Sequence, residues 1–496
     1  MRYLLGLDIG TSGTKTVLFD ERGNVMAEAS ACYPLSQPKN GWAEQDPLHW
    51  WEAVADTVPT VVKKSGVDKK DIVGIGLSGQ MHGLVMLNDV GRVLRPAILW
   101  CDGRTAKQCR EMEAILGRER LIAITGNAAM EGFTAAKILW VRENEPHLLE
   151  QCKHILLPKD YIRYRLCGTF VIDMADASGT QLLDVTKREW SREVCDAFDI
   201  DMSLLPTAME SPEVSGYLSP EVADELGLPA GIPVAAGGGD NACAALGSGV
   251  CREGKAFTTV GTSGVIVAHT DAVKIDADAR YHAFCAAVPG AWHMLGTTQA
   301  AGGSLNWFRN QIAKEYAYKE LDEMCKALPI GADNLLFMPF LMGERNPLLG
   351  IKARGVFFGL SAIHQKSHMA RAVMEGVAYS LYDLLEIFRS AGAPCDDMLL
   401  CGGGAKSAFW SKMFADVYGI DIKTGASGES ACLGAAILGG CAAGVYSSVQ
   451  EGCDIAVKMG KTFAHEPENH TAYMKFYRIY RDLYPKLRES FDTLNA

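Results

Sequence analysis

The sequence predicts an α/β protein built from two halves that repeat one plan, and three observations carry that prediction. Its 496 residues exceed what a single hydrophobic core organises, so two or three domains are expected. The tetrapeptide GTSG stands at residues 10–13 and again at 261–264, each time between apolar runs that read as strands. The second half then alternates helical with strand periodicity, as α/β layers do.

YLLGLD (3–8), TKTVLFD (14–20) and VMAEAS (25–30), separated by GTSG and ERGN, read as a meander of three antiparallel strands. Asp46 followed by Pro47 opens a helix reaching about Lys64, because aspartate accepts from the free N–H groups of a first turn and proline has no N–H to waste there. The strand IVGIGLS (72–78) follows. After residue 250 the plan restarts with KAFTTV, GTSG, VIVAH, a third strand near WHMLGTT (292–298) and a helix from about Ser304. In HMARAVMEGVAYSLYDLLEIF (368–388), Met369, Val373, Val377, Leu381, Leu384 and Phe388 share one helical face that packs on a sheet. MLLCGG leads into a helix opened by GGAKS, and GIDIKT into a glycine-alanine helix near 429–443. The expected units are 1–247 and 253–445, joined near 245–255, with a helical tail (446–496) that packs back on the body.

Composition narrows the function. Charged residues are 22% of the chain and the net charge is −11, so a nucleic acid or an anionic membrane surface is not the partner; a small molecule is. ACLGAAILGGCAAGVY (431–446) is glycine-broken and too short for a span of about 20 residues, which makes it a buried helix. Fifteen cysteines without a Cys-x-x-Cys pair, and an N-terminus interrupted by Asp8, fit a reducing cytoplasm.

The chemistry-bearing stretches each admit two readings. GTSG is either a plain hairpin or an anion cradle in which backbone N–H groups and the hydroxyls of Thr11, Ser12 and Thr262 meet phosphate; its duplication favours the cradle. Asp8 either flanks a hairpin or carries Mg²⁺ through water. In GGGDNACAALG (237–247), Asp240 is either a helix cap or a general base on a glycine-cleared strand end, the glycines making room for a ligand. CGGGAKS (401–407) looks like a further backbone cradle at a helix start. SGQMHG (78–83) places Met81 and His82 where they could reach a neutral polar ligand, while Trp42, Glu44, Trp50 and Trp51 read as core or cleft lining.

Taken in order, LDIGTSGTK, GWAEQDP, SGQMHG, RPAILWCDGRT, GFTAAKILWVREN, LLPKDYIRYRLCG, AAGGGDNA, VGTSGV, GVFFGLSAIHQKSHMARAVME and CGGGAKS resemble segments of the FGGY family of carbohydrate kinases over residues 1 to about 445. The resemblance implies two duplicated actin-like or hexokinase-like (ribonuclease H-like) domains around a hinged cleft. It implies ATP, Mg²⁺ and a sugar as partners, with phosphoryl transfer to a ketopentose, D-xylulose first and ribulose, gluconate or fuculose as alternatives; a non-catalytic actin-like or chaperone-like ATPase, or a sugar sensor, is the remaining alternative. By that resemblance Asp240 is the base, Asp8 and Asp240 serve the metal, and Met81, His82, Asp240 and Asn241 hold the sugar. Thr11, Ser12, Gly261, Thr262, Gly403, Gly404 and Lys406 hold ATP. Glycerol kinases carry an Arg-Glu pair after the glutamine matching Gln80, so Met81 and His82 disfavour glycerol. Xylulose-phosphorylating members usually have asparagine where Cys101 stands between Trp100 and Asp102. A homodimer stays open.

Overall fold

A computed structural model describes residues 1–299, 301–344, 352–426 and 428–494. The duplication is visible in strand order. In the N-terminal sheet, β1 (Tyr3–Ile9), β2 (Gly13–Asp20) and β3 (Val25–Cys32) form the antiparallel meander, β4 (Ile72–Gly79) runs parallel to β1, and β5 (Val214–Tyr217) and β6 (Pro233–Ala235) complete the far side. The C-terminal sheet repeats this: β7 (Lys255–Val260), β8 (Gly264–Thr270) and β10 (Trp292–Thr298) are antiparallel neighbours. β11 (Asp397–Cys401) runs parallel to β7, and β12 (Ile422–Gly425) is parallel to β11. One edge strand of the C-terminal sheet has no counterpart. β9 (His282–Cys285) pairs outside β10 and extends that edge.

The two GTSG hairpins share letters but not register. Ile9 faces Thr14 across the first, whereas Val260 faces Gly264 across the second, and the closing bonds differ accordingly: Gly10 N–H to Gly13 O (3.1 Å), Gly261 N–H to Ser263 O (3.0 Å). Flanking strands, not the tetrapeptide, decide how the turn closes.

α1 (Pro47–Ser65) starts as the sequence indicates, with the Asp46 carboxylate accepting from Leu48 N–H at 3.0 Å and Gly66 ending it at φ 66°. The long helix Lys366–Ser390 is buried on nearly every side, wider than the single face its periodicity suggested. Sheet packs on one flank, and the final helix Pro467–Leu494 on another through Tyr473, Tyr477 and Tyr480. The tail is not helical throughout. Met459–Phe463 forms a strand that pairs with β12 and closes the C-terminal sheet, because the open edge of β12 offers unpaired backbone groups that a nearby chain satisfies.

The glycine-alanine helix Ser430–Ala442 follows β12 in sequence yet lies on the N-terminal sheet. A Cβ on Gly76 would stand 1.7 Å from Ala435 O, and one on Gly434 would stand 1.9 Å from Cys243 O, so helix, sheet and the neighbouring helix Asp240–Gly247 meet backbone to backbone. That contact explains a stretch that is apolar, small and short: it is the seam between halves. No helix among the described residues is long and apolar enough to cross a membrane.

Candidate active site

Parallel pairing sets the site out. Asp8 on β1 is opposite Ser78 on β4, and Gly238 pairs with Ser78 on the other side, so the chain leaves the sheet at Asp240 beside the strand end that carries Asp8. Ser78 Oγ donates to Asp8 Oδ1 at 2.7 Å. Burial raises the Asp8 carboxyl above its usual range, and burial together with the Asp8 charge pushes Asp240 up to about 7. Two carboxylates that resist ionising side by side suit a cation held between or near them.

Asp240 is not the helix cap. Gly239 takes that position, and Asp240 is the first residue of the helix, its Oδ1 accepting from Asn241 N–H (2.7 Å) and Asn241 Nδ2 (3.1 Å). The expectation that the preceding glycines clear space for a ligand is also corrected. A Cβ on Gly239 would lie 2.7 Å from Asp176 Oδ1 and 2.8 Å from Met81 Cγ, so protein fills that space. Glycine is required because Met81 and the buried Asp176 already occupy the place a side chain would take.

Beneath it, the Lys159 ammonium sits among Asp160 (2.6 Å), Asp173 (2.6 Å) and Asp176 (3.0 Å), all fully buried. These three carboxylates have the spacing of a metal site, but lysine supplies the positive charge there, with Arg163 adding a second on Asp160.

A cavity of roughly 700 Å³ opens above Asp240 and lies between the halves. Met81, His82, Trp100, Asp240 and Asn241 line it from one side and Thr262, Ser263, Tyr281, Phe284 and Gln299 from the other. His82 is a hydrogen-bond acceptor there. Its Nδ1 lies 2.8 Å from the carbonyl of Gly179, which can only accept, so Nδ1 carries the hydrogen and Nε2 keeps its lone pair. Burial, with the nearby Lys137, holds the ring down at about 3, so it is neutral at physiological pH. Asn241 Nδ2 approaches Met81 Sδ at 3.9 Å, which joins the Met81–His82 pair to the carboxylate.

The first hairpin is tied to this cavity through its threonine. Thr11 Oγ1 accepts from Trp100 Nε1 (2.9 Å) and lies 3.3 Å from Gln80 Oε1, while Gln45 bonds Gln80 and the Thr11 carbonyl. Ser12 is exposed. In the second hairpin Thr262 is exposed and its carbonyl receives Ala301 N–H (3.1 Å) and Gly303 N–H (3.0 Å), so a helix, Gly302–Gln311, stands on the turn. Gly402 and Gly404 pack on Val260, directly before that hairpin, which brings Gly403 and the exposed Lys406 to the same edge. GGAK forms a short 3₁₀ turn, and Ser407 rather than the glycines caps the next helix, Ala408–Tyr418, through Trp410 N–H. Gly404 is buried, so packing as well as a ligand accounts for its lack of a side chain.

Several wall residues escaped the sequence reading. The pair Gly302 and Gly303 opening a helix was a legible sign of close approach to the second hairpin; Tyr281 to Phe284 carried none. Trp42, Trp50 and Trp51 belong to packing: Trp42 stacks under Arg104 (3.7 Å), Trp50 bonds Gln45, and Trp51 bonds Glu225. Glu44 pairs with Arg95 and Arg104.

Known proteins resemble this chain over its whole length. The models of the N-terminal and C-terminal domains of the FGGY family of carbohydrate kinases match residues 3–247 and 256–443. A xylulose kinase of Bacillus subtilis is 38% identical over 100% of this chain and 99% of its own length. One from Escherichia coli is 39% identical over 97% of this chain and 99% of its own length. The crystal structure of a xylulose kinase from Rhodospirillum rubrum superposes with a TM-score of 0.93 at 30% identity, covering 99% of this chain and all of that one. With two sheets of one topology, a carboxylate at the strand ends facing a cleft, and full-length similarity of this degree, the chain belongs to the FGGY family of carbohydrate kinases.

Proposed function

We propose that this kinase transfers the γ-phosphoryl group of ATP to a primary hydroxyl of D-xylulose, giving xylulose 5-phosphate and ADP. The observation that carries the reading is the single cavity on which a neutral histidine acceptor, Asn241, the Asp240 carboxylate and the second hairpin converge. It is supported by the full-length likeness to xylulose kinases. His82 Nε2 accepts from one sugar hydroxyl, and Asp240 takes the proton of the attacking one. As the new O–P bond forms, the bond from the γ-phosphorus to the bridging oxygen breaks and ADP leaves, a step governed by positioning and charge stabilisation.

Ser12, Gly261 and Thr262 face the phosphates, with Gly403, Gly404 and Lys406 on the adjoining edge; Thr11 contributes backbone more than hydroxyl, since its oxygen is engaged by Trp100. Asp8 and Asp240 are the oxygen donors that suit Mg²⁺, which when bound would neutralise phosphate charge. Closure of the halves would expel water and make turnover depend on sugar. Fifteen cysteines with no disulfide between them favour a reducing cytoplasm.

The test is ADP release across ketoses and polyols. D-Xylulose should give the highest kcat/KM. A higher value with ribulose, gluconate, fuculose or glycerol would reassign the substrate within the family.

A further inference from the structure

We propose that Lys137 and Thr134 are positioning residues that clamp the backbone of His82 in a strained turn and thereby aim its imidazole into the sugar cavity. The inference deepens the sugar-pocket reading given above and rests on it.

His82 has φ 66°, a region that a side chain other than glycine's rarely adopts. Gly83 N–H donates to Met81 O at 2.8 Å, an i to i+2 bond. Positive φ at the centre of such a bond defines the strained form of the γ-turn. Strain of this kind persists only where neighbours overdetermine it, and here they do.

Lys137 Nζ (2.9 Å) and Thr134 Oγ1 (3.1 Å) both donate to the His82 carbonyl, while Nδ1 is held by Gly179. The ring packs edge-on against Phe133 at 4.7 Å between centroids. Phe133, Thr134 and Lys137 lie within one short stretch, GFTAAKILWVREN, and Thr134 and Lys137 fall one turn apart on the helix Thr134–Asn144.

Lys137 is an odd choice for mere packing. It is 0% exposed, and its ammonium is satisfied by two backbone carbonyls, His82 O and Gly132 O (2.6 Å). Asp102, which attracts it from a distance, has both oxygens bonded to Arg104. Burying a cation against neutral acceptors is costly, and burial lowers its pKa to about 7. A methionine or leucine would fill the volume without that cost. What only the lysine supplies is a second strong donor on the one carbonyl whose direction fixes the His82 turn.

The test compares Lys137→Met with wild type, alone and in a His82→Gly background, since glycine adopts positive φ without strain. Loss of a charged donor should raise the sugar KM roughly ten- to hundredfold. The ATP KM should stay within about twofold, because the site is not on the phosphate side. In the H82G background the same substitution should add less than about twofold to the sugar KM, the clamp having nothing left to aim.

A readout independent of substrate is the ¹⁵N imidazole spectrum. Wild-type His82 should show the Nδ1–H tautomer, and K137M an averaged or exchange-broadened signal. Thr134→Val with Thr134→Ser as its rescue carries the same test if K137M does not fold. An unchanged sugar KM and unchanged imidazole signal, equal losses for sugar and ATP, or a full K137M effect persisting beside H82G would each overturn the clamp. If wild type phosphorylates no sugar, the functional reading fails, and the imidazole spectrum alone still judges the clamp.

Discussion

Replacing Asp240 with asparagine separates chemistry from structure, because the geometry leaves the fold little reason to miss the charge. Gly239, not Asp240, caps the helix, and an asparagine oxygen still accepts from Asn241 N–H. Folded Asp240 sits near pKa 7, above its unfolded value of 3.8, so ionising it at neutral pH works against the fold. A pKa higher by about three makes the penalty removed by neutralisation on the order of 4 kcal/mol at pH 7. Against it stands the attraction of a carboxylate to the helix N-terminus, about 0.3–1 kcal/mol. Melting temperature should therefore hold or rise.

Turnover should fall by about two to four powers of ten, or roughly 3–5 kcal/mol of barrier, since an amide cannot take the hydroxyl proton. Calorimetric sugar affinity should persist. The wild-type kcat/KM should in turn decline as pH drops through about 7, where the base becomes protonated, and extra Mg²⁺ should move that limb lower by offsetting Asp8. Near wild-type turnover of D240N, or joint loss of folding and binding, would refute the assignment.

His82→Ala should raise the sugar KM about tenfold or more while ATP KM stays near wild type, because a buried hydroxyl is left without its acceptor. With the ring neutral down to about pH 3, His82 itself should impose no pH dependence on sugar KM between about 5 and 8. Thr262→Val keeps the carbonyl that receives Ala301 and Gly303, so the turn should survive while ATP KM or kcat suffers; steady-state kinetics with unchanged ATP parameters would remove the hydroxyl from the phosphate site. Asp8→Asn retains an oxygen for Ser78 and should lower turnover and raise the Mg²⁺ concentration needed for half-maximal rate; full activity at ordinary Mg²⁺ would leave Asp8 a strand-end residue.

By itself the sequence determined what short-range chemistry determines. Strand and helix identities, the capping of the first helix by Asp46, the repeated plan and the carboxylates at strand ends are all set within a few residues of one another, where turn, cap and periodicity rules act. Tertiary structure decided whatever depends on elements far apart. Identical GTSG turns close in different registers because their flanking strands pair differently, and the glycines before Asp240 serve Met81 and Asp176 from 158 and 63 positions upstream of Gly239. A buried lysine becomes intelligible only beside the carbonyl of His82, 55 residues away. Local pattern records what a residue can do; which partner it meets is settled by packing, since the free energy of a buried donor or acceptor depends on the group brought opposite it.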